Sequence, residues 1–295
     1  MNSKVYNKYF DDLINLFPSM NDTLNLKQYQ HLNHLQENAF STTHEEKQLK
    51  FFNKYYELMN AKKIKNIYDK TIIYDCLTSI KSLKSNLKHL PINHQENIII
   101  EIMETGSDNT ILTLKTKKDY DNAINKLKSL EEITKSIISL MTQGIKKKVT
   151  LSKILTIKLI EQFKEFKKNS SYKNTKVDIK LPYDFNNEIK SLVVPSLDLI
   201  INFLENIYLK HATKYIGLCG LPNGRKLYSS IVSDSLTLNN INIKRIHDYG
   251  LKEVERINQA MNKIKNQLNF SGTLKEFAMH LKKQKENMFS SNKDV

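Results

Sequence analysis

The sequence is poor in the residues that make turns and covalent crosslinks. Its 295 residues include only 7 Gly, 5 Pro and 2 Cys, and no Trp. So few turn-forming residues argue against a fold of many short strands and favour long helices. Cys76 and Cys219 cannot build a disulfide framework, so we expect a reducing compartment and predict a cytoplasmic location.

Long apolar runs are also missing. The first residues, MNSKVYNKYFDDL, carry charges of both signs and no apolar core of a secretory signal. The most apolar stretch, 191–209, contains Pro195, Asp198 and Glu205. A spanning helix would leave those carboxylates in hydrocarbon, so we expect a buried helix and no membrane partner.

Positive charge is in excess, with 46 Lys+Arg against 31 Asp+Glu and a net charge of +15. A nucleic-acid reader favours Arg for base contacts and aromatic residues for stacking, whereas this chain is rich in Lys and has few Arg. A solvated lysine-rich surface is therefore the favoured interpretation. The alternative is nucleic-acid binding, with Lys146, Lys147 and Lys148 as its candidate site.

Apolar residues recur at helical spacing along most of the chain. This periodicity predicts an all-α fold, with one helix-rich domain over residues 1–288 and a disordered tail over 289–295. One helix is expected between a cap at Thr116 and a stop at Gly144, and Pro195 is expected to kink or divide a later helix. Residues 169–182 are expected to form an internal loop. For residues 97–114, the sequence allows either a small β-hairpin or a helix fragment followed by a loop.

A catalytic set is not visible in the residue pattern. His44-Glu45-Glu46-Lys47-Gln48 begins like a zinc-protease helix, but Gln48 stands where the second metal-binding His is needed. His31, His34 and Glu37 share a helical spacing that polar helices produce by chance. No GxSxG, Walker or GxGxxG motif occurs. We therefore predict no metal site, no cofactor and no catalytic residue.

The most informative stretch is 214–261. Leu221-Pro222-Asn223-Gly224 is typical of a turn, with φ fixed at Pro222 and a positive φ expected at Gly224. Gly250 interrupts a helix that Asn242 caps, which suggests close approach of another element. The stretch is either a packed helical corner or the wall of a binding cleft. Its candidate binding residues are Gly217, Leu221, Pro222, Gly224, Tyr228, His247 and Gly250.

The same stretch carries a family resemblance. Tyr215-Ile216-Gly217-Leu218, the Leu221–Gly224 turn with Tyr228, and residues 246–257 (IHDYGLKEVERI) resemble the bacterial domain-of-unknown-function 885 family. Upstream, the segment of Pro18 and Asn21-Asp22-Thr23 is similar to the family's N-terminal region. The segment from Asp119 to Leu127 is similar to a family helix, with Lys126 where Arg is usual. Members of this family are related to gluzincin-type zinc metallopeptidases.

The resemblance implies a function as well as a fold. It covers only the N-terminal half of the family's length, and the HExxH zinc helix of family members lies beyond the matched part. The favoured interpretation is a non-catalytic helical scaffold or binding protein that has lost the metal-binding half, with a peptide as a possible ligand. The alternative is the N-terminal half of a split metallopeptidase that a partner chain completes.

Overall fold

The computed structural model describes residues 2–62, 66–104, 114–169, 175–238 and 241–287. Most of those residues lie in helices and none of them lies in a named strand, so the all-α class is confirmed. The chain forms two compact units, unit 1 over Met1–Tyr228 and unit 2 over Ser229–Val295. We describe each unit by itself.

Unit 1 holds helices α1 to α10 and the first turn of α11. Their bounds are α1 Asn2–Leu16, α2 Met20–Leu24, α3 Thr42–Asn60, α4 Ile67–Lys84, α5 Ile98–Glu104, α6 Lys117–Leu127, α7 Leu130–Lys147, α8 Lys153–Asn169, α9 Phe185–Phe203, α10 Leu209–His211 and α11 Gly224–Leu236.

The main core of unit 1 lies among α5 to α9. Helix α9 occupies its centre, because Ile189, Val193, Leu197 and Ile200 are all fully buried and recur every three to four residues. Helices α6, α7 and α8 supply the facing apolar side chains. Continuous apolar contact of this kind is the main source of helix stability, since isolated helices are marginal in water.

A second core joins α1, α3 and α4. Tyr9, Tyr55 and Cys76 are buried in it, and the rings of Tyr9 and Tyr55 pack edge to face at 4.9 Å. Burial raises the pKa of the Cys76 thiol to about 12, because the thiolate would lose its hydration. Cys76 is therefore a small core residue, and it is not an activated nucleophile.

Three local expectations need correction. Residues 98–104 form α5, so the hairpin near 97–114 is wrong there, and 105–113 lie outside the described residues. The helix from Thr116 does not continue to Gly144, because a break at 128–129 separates α6 from α7. Gly144 is not a stop either: it lies inside α7, where an added Cβ would be 2.5 Å from the Val149 carbonyl oxygen, and Lys148 takes the left-handed cap.

Helix α9 runs through Pro195 without a break, so the prediction of a division there is wrong. The wide turn occurs later, at Leu204–Tyr208, where the helix changes to π geometry. By length and composition alone, the continuous helix Phe185–His211 could cross a membrane. Seven residues of α9 are nevertheless buried against other helices of unit 1.

The predicted loop at 169–182 is described only in part. Asn169 still belongs to α8, residues 175–182 are irregular, and 170–174 lie outside the described residues. The predicted tail, 289–295, lies outside them as well. Unit 2 contains the rest of α11, α12 (Ile243–Gln267) and α13 (Leu274–Lys283).

Candidate functional site

The predicted corner in unit 1 is a tight backbone turn. Gly217 has φ +86° and ψ 167°, a backbone conformation that costs other residues about 1–3 kcal/mol. The Gly224 amide donates to the Leu221 carbonyl at 2.9 Å, which confirms the turn at Leu221–Gly224. The left-handed residue is Asn223, with φ 59°, so the expected positive φ at Gly224 is wrong.

Gly224 is needed for a different reason. A Cβ at this position would lie 1.7 Å from the Leu218 carbonyl oxygen, so no larger residue fits without moving the backbone. Leu221 is buried beneath the turn, whereas Tyr228 is 43% exposed. The corner is therefore packed on its inner side and offers an aromatic side chain on its outer side.

His247 and Gly250 belong to unit 2, on α12. Both residues are exposed, and an added Cβ at Gly250 would meet no atom within 4 Å. Gly250 was expected to let another element pack closely against α12, but none of the described residues does so. Because these two residues lie in another unit, the structure describes them separately from the Gly217–Tyr228 corner.

Helix α12 carries an uncovered row of apolar side chains, which we call the α12 stripe. None of its 25 residues is buried. At 100° per residue, the row falls within an arc of about 80°. The α12 stripe consists of Ile243, Ile246, Gly250, Val254, Ile257, Met261, Ile264 and, at the helix end, Leu268.

The opposite face of α12 is basic, with Arg245, Lys252, Arg256 and Lys263 near its middle. Successive residues of the α12 stripe are three or four positions apart, and their arc is as narrow as a coiled-coil seam, whereas the exposed Tyr249 and Leu251 lie on other faces of the helix. Sequence periodicity predicted the amphipathic helix, but only the structure shows that α11 and α13 leave its apolar side open.

The lysine run 146–148 lies at the end of α7. Lys147 Nζ is 3.0 Å from Nε2 of the buried His89, whose Nδ1 lies 3.2 Å from the Leu140 carbonyl oxygen. Burial lowers the pKa of His89, so the neutral ring accepts a hydrogen bond from Lys147 through Nε2 and donates through Nδ1. Lys147 thus has a structural partner within its own unit.

A buried ion pair connects α2 and α6. Lys126 is fully buried, and its ammonium donates to Asp22 Oδ2. Burial raises the pKa of Asp22 despite this partner, and its buried Oδ1 accepts no hydrogen bond from the described residues. The family resemblance matched the segment that contains Asp22 and the segment that contains Lys126 separately, and the structure brings these two residues into contact. The sequence analysis did not predict the pair. The position of Lys126 between the apolar residues Ile124 and Leu127 was a signal that its side chain could be buried.

A groove of about 400 Å³ opens in unit 1 beside α1, α3 and α4. Its apolar side chains include Leu13, Phe17 and Phe52, and its polar ones include Glu37, Gln48 and Asp75. Glu37 and Gln48 thus line one groove, although they come from the two separate sequence patterns that were considered and rejected as metal sites. Residue spacing gave no sign of this, because the groove joins segments distant in sequence.

The candidate metal ligands do not converge. Over the described ranges, no group of three His, Cys, Asp or Glu side chains is arranged to hold a metal ion. Glu37 instead accepts hydrogen bonds from the backbone and hydroxyl of Ser19, at 3.1 and 2.6 Å. His31 lies on the surface, and its Nδ1 contacts the Gln28 carbonyl oxygen at 3.1 Å.

The fold and these surfaces define a helical protein with an open apolar helix face. Residues 18–295 match the family described as "Bacterial protein of unknown function (DUF885)", and the chain belongs to that family. No curated protein matches the sequence.

A solved structure has the same fold. It is described as the "putative lipoprotein from Colwellia psychrerythraea", with 18% sequence identity and a TM-score of 0.57. The match covers 82% of this chain but 47% of that protein, so this chain spans about half the length of the solved relative.

Proposed function

We propose that this chain is a non-catalytic helical scaffold that binds a further helical polypeptide along the α12 stripe. The occupant is a helix of the kind that the other half of a longer DUF885 protein would supply. The single observation that carries the proposal is the uncovered stripe itself, from Ile246, 38% exposed, to Leu268, 60% exposed.

Burying the exposed apolar side chains of the α12 stripe against a partner would be energetically favourable. Six of its apolar side chains are between 38% and 60% exposed, namely Ile246, Val254, Ile257, Met261, Ile264 and Leu268. Covering each would contribute about 1 kcal/mol, or about 6 kcal/mol together, before the cost of association. A 25-residue helix without buried residues has little other tertiary stabilisation.

The shape of the stripe supports a helix as the occupant. A helix that covers a globular core typically has an apolar arc above about 100°. The narrow seam of α12 instead matches a single facing helix, packed about 8–10 Å away. The half-length match to the solved relative supports a source for that helix outside the matched residues.

The test places a photo-crosslinking amino acid at Ile257 or Ile264 in the native host, one position per variant. The control position is Lys263, which faces away from the stripe. We expect Ile257 and Ile264 to crosslink to one helix that lies outside residues 1–295, and Lys263 to give no such product. Crosslinks to unit 1 or to a second copy of this chain would refute the proposed occupant.

A second candidate function is the N-terminal half of a split metallopeptidase. The half-length match favours it, because the longer relative has about as many residues again beyond the matched part. It predicts that the crosslinked polypeptide contains HExxH and that the purified pair hydrolyses peptides only with zinc. Hydrolysis by the 295-residue chain alone would refute the non-catalytic scaffold.

A further inference from the structure

The groove beside α1, α3 and α4 has an acidic character that the composition does not predict. The chain has 46 Lys+Arg, yet the described residues that line the groove include two carboxylates and no basic side chain. Its volume of about 400 Å³ lies within the usual range of small-molecule sites. The lining belongs entirely to unit 1.

Both carboxylates are held in place and retain acceptor capacity. Glu37 accepts two hydrogen bonds from Ser19, and Asp75 accepts one from the Tyr9 hydroxyl. Burial and this bond raise the pKa of Tyr9, so the phenol keeps its proton and continues to donate. A carboxylate offers about four acceptor positions, so each can also receive a hydrogen bond from a ligand.

A third acceptor faces the groove from α3. Gln48 is only 7% exposed, and its amide nitrogen donates to the Ala39 carbonyl oxygen at 3.2 Å. Its amide oxygen has no hydrogen-bond partner among the described residues. This oxygen is not one of the fully buried unpaired atoms, so water reaches it from the groove, and a donor on a ligand can replace that water.

The rest of the lining is apolar. Phe17, Phe52 and Leu83 offer surface that an alkyl chain can cover, and Phe52 is itself buried in the second core. The ligand that fits these groups has several N–H donors, a positive charge and a short apolar stem. An anion is excluded by the two carboxylates, and a neutral alcohol would leave their charge uncompensated.

We propose that this groove binds a primary alkylammonium ion, the group shared by alkylamines, polyamines and lysine side chains. The ammonium lies among Glu37, Asp75 and the Gln48 amide oxygen, and the alkyl stem lies against Phe17 and Phe52. This site is independent of the α12 stripe, which belongs to unit 2.

The first experiment titrates the full chain with n-hexylammonium, with 1,6-diaminohexane and with hexan-1-ol, and follows the backbone amide signals of Ser79 and Ser82 by NMR. We expect saturable shifts with both amines and at least tenfold weaker binding of the alcohol. A diamine that binds at least tenfold more tightly than the monoamine indicates a polyamine as the ligand. Equal affinity indicates a single ammonium, as on a lysine side chain.

The second experiment uses the double variant Glu37→Gln, Asp75→Asn. Both amides keep an acceptor for Ser19 and Tyr9, so the fold should persist, and thermal unfolding checks this. We expect at least a tenfold loss of hexylammonium affinity. The control is Asp178→Asn, which removes an exposed carboxylate elsewhere and should leave the affinity unchanged. Equal binding of alcohol and amine, unchanged affinity in the double variant, or no saturable shift would overturn the proposal.

Discussion

The buried pair of Asp22 and Lys126 allows a sharp prediction about stability. Replacing Lys126 with Met keeps the approximate length of the side chain but removes the one hydrogen-bond partner that the Asp22 carboxylate has among the described residues. Lys126 is fully buried, and the Asp22 side chain is 23% exposed. The variant therefore leaves a partly buried carboxylate without its charged partner.

Removing one member of a buried ion pair costs about 3–5 kcal/mol. In a chain of this size, that corresponds to a fall of roughly 6–20 °C in the melting temperature. Burial already raises the pKa of Asp22, so the folded state favours the protonated carboxyl, and loss of Lys126 strengthens this preference. The cost should be full at neutral pH and should shrink as the pH falls through the raised pKa of the folded state. It should be smallest below the ordinary Asp pKa of about 4, where the carboxyl becomes protonated in the unfolded state as well.

Thermal unfolding followed by circular dichroism at pH 7 and pH 4.5 measures both effects. Lys128→Met is the matched control, because Lys128 is exposed two residues away, and it should change stability by less than about 0.5 kcal/mol. Adding Asp22→Leu to Lys126→Met should recover at least half of the loss, since an apolar pair can replace a buried ion pair. A loss below about 1 kcal/mol in Lys126→Met, or a loss that grows at pH 4.5, would refute the reasoning.

Three further predictions concern glycines and thiols. Gly224→Ala should destabilise unit 1 by at least about 1–3 kcal/mol in urea unfolding, because its Cβ would lie 1.7 Å from the Leu218 carbonyl oxygen; a neutral result would contradict that geometry. Gly250→Ala should raise the helicity of α12 and stabilise it by about 1 kcal/mol, because no atom of the described residues lies within 4 Å of the added Cβ; a loss of helicity would be inconsistent with an open site. A thiol reagent at pH 8 should modify the exposed Cys219 and spare Cys76, giving one reactive thiol per native chain and two after unfolding; two in the native chain would disprove the burial of Cys76.

Local signals in the sequence identified several elements correctly. The capping box of Thr116 and Asp119 starts α6, and Asn242 caps α12 through the Arg245 amide. These features depend on neighbouring residues, so the sequence contains what is needed to predict them. Gly144 was misjudged because a glycine at a helix end and a glycine under a packed neighbour look the same in sequence.

The sequence by itself determined the helical class, the caps at Thr116 and Asn242, and the family, because periodicity, capping residues and motif spacing are properties of adjacent residues. Only the tertiary structure showed that Asp22 meets Lys126, that Glu37, Gln48 and Asp75 line one groove, and that the α12 stripe is uncovered. Each of these depends on which distant segments pack together and which surface receives no partner. Such packing is set by the free energy of the whole fold, which residue spacing does not record.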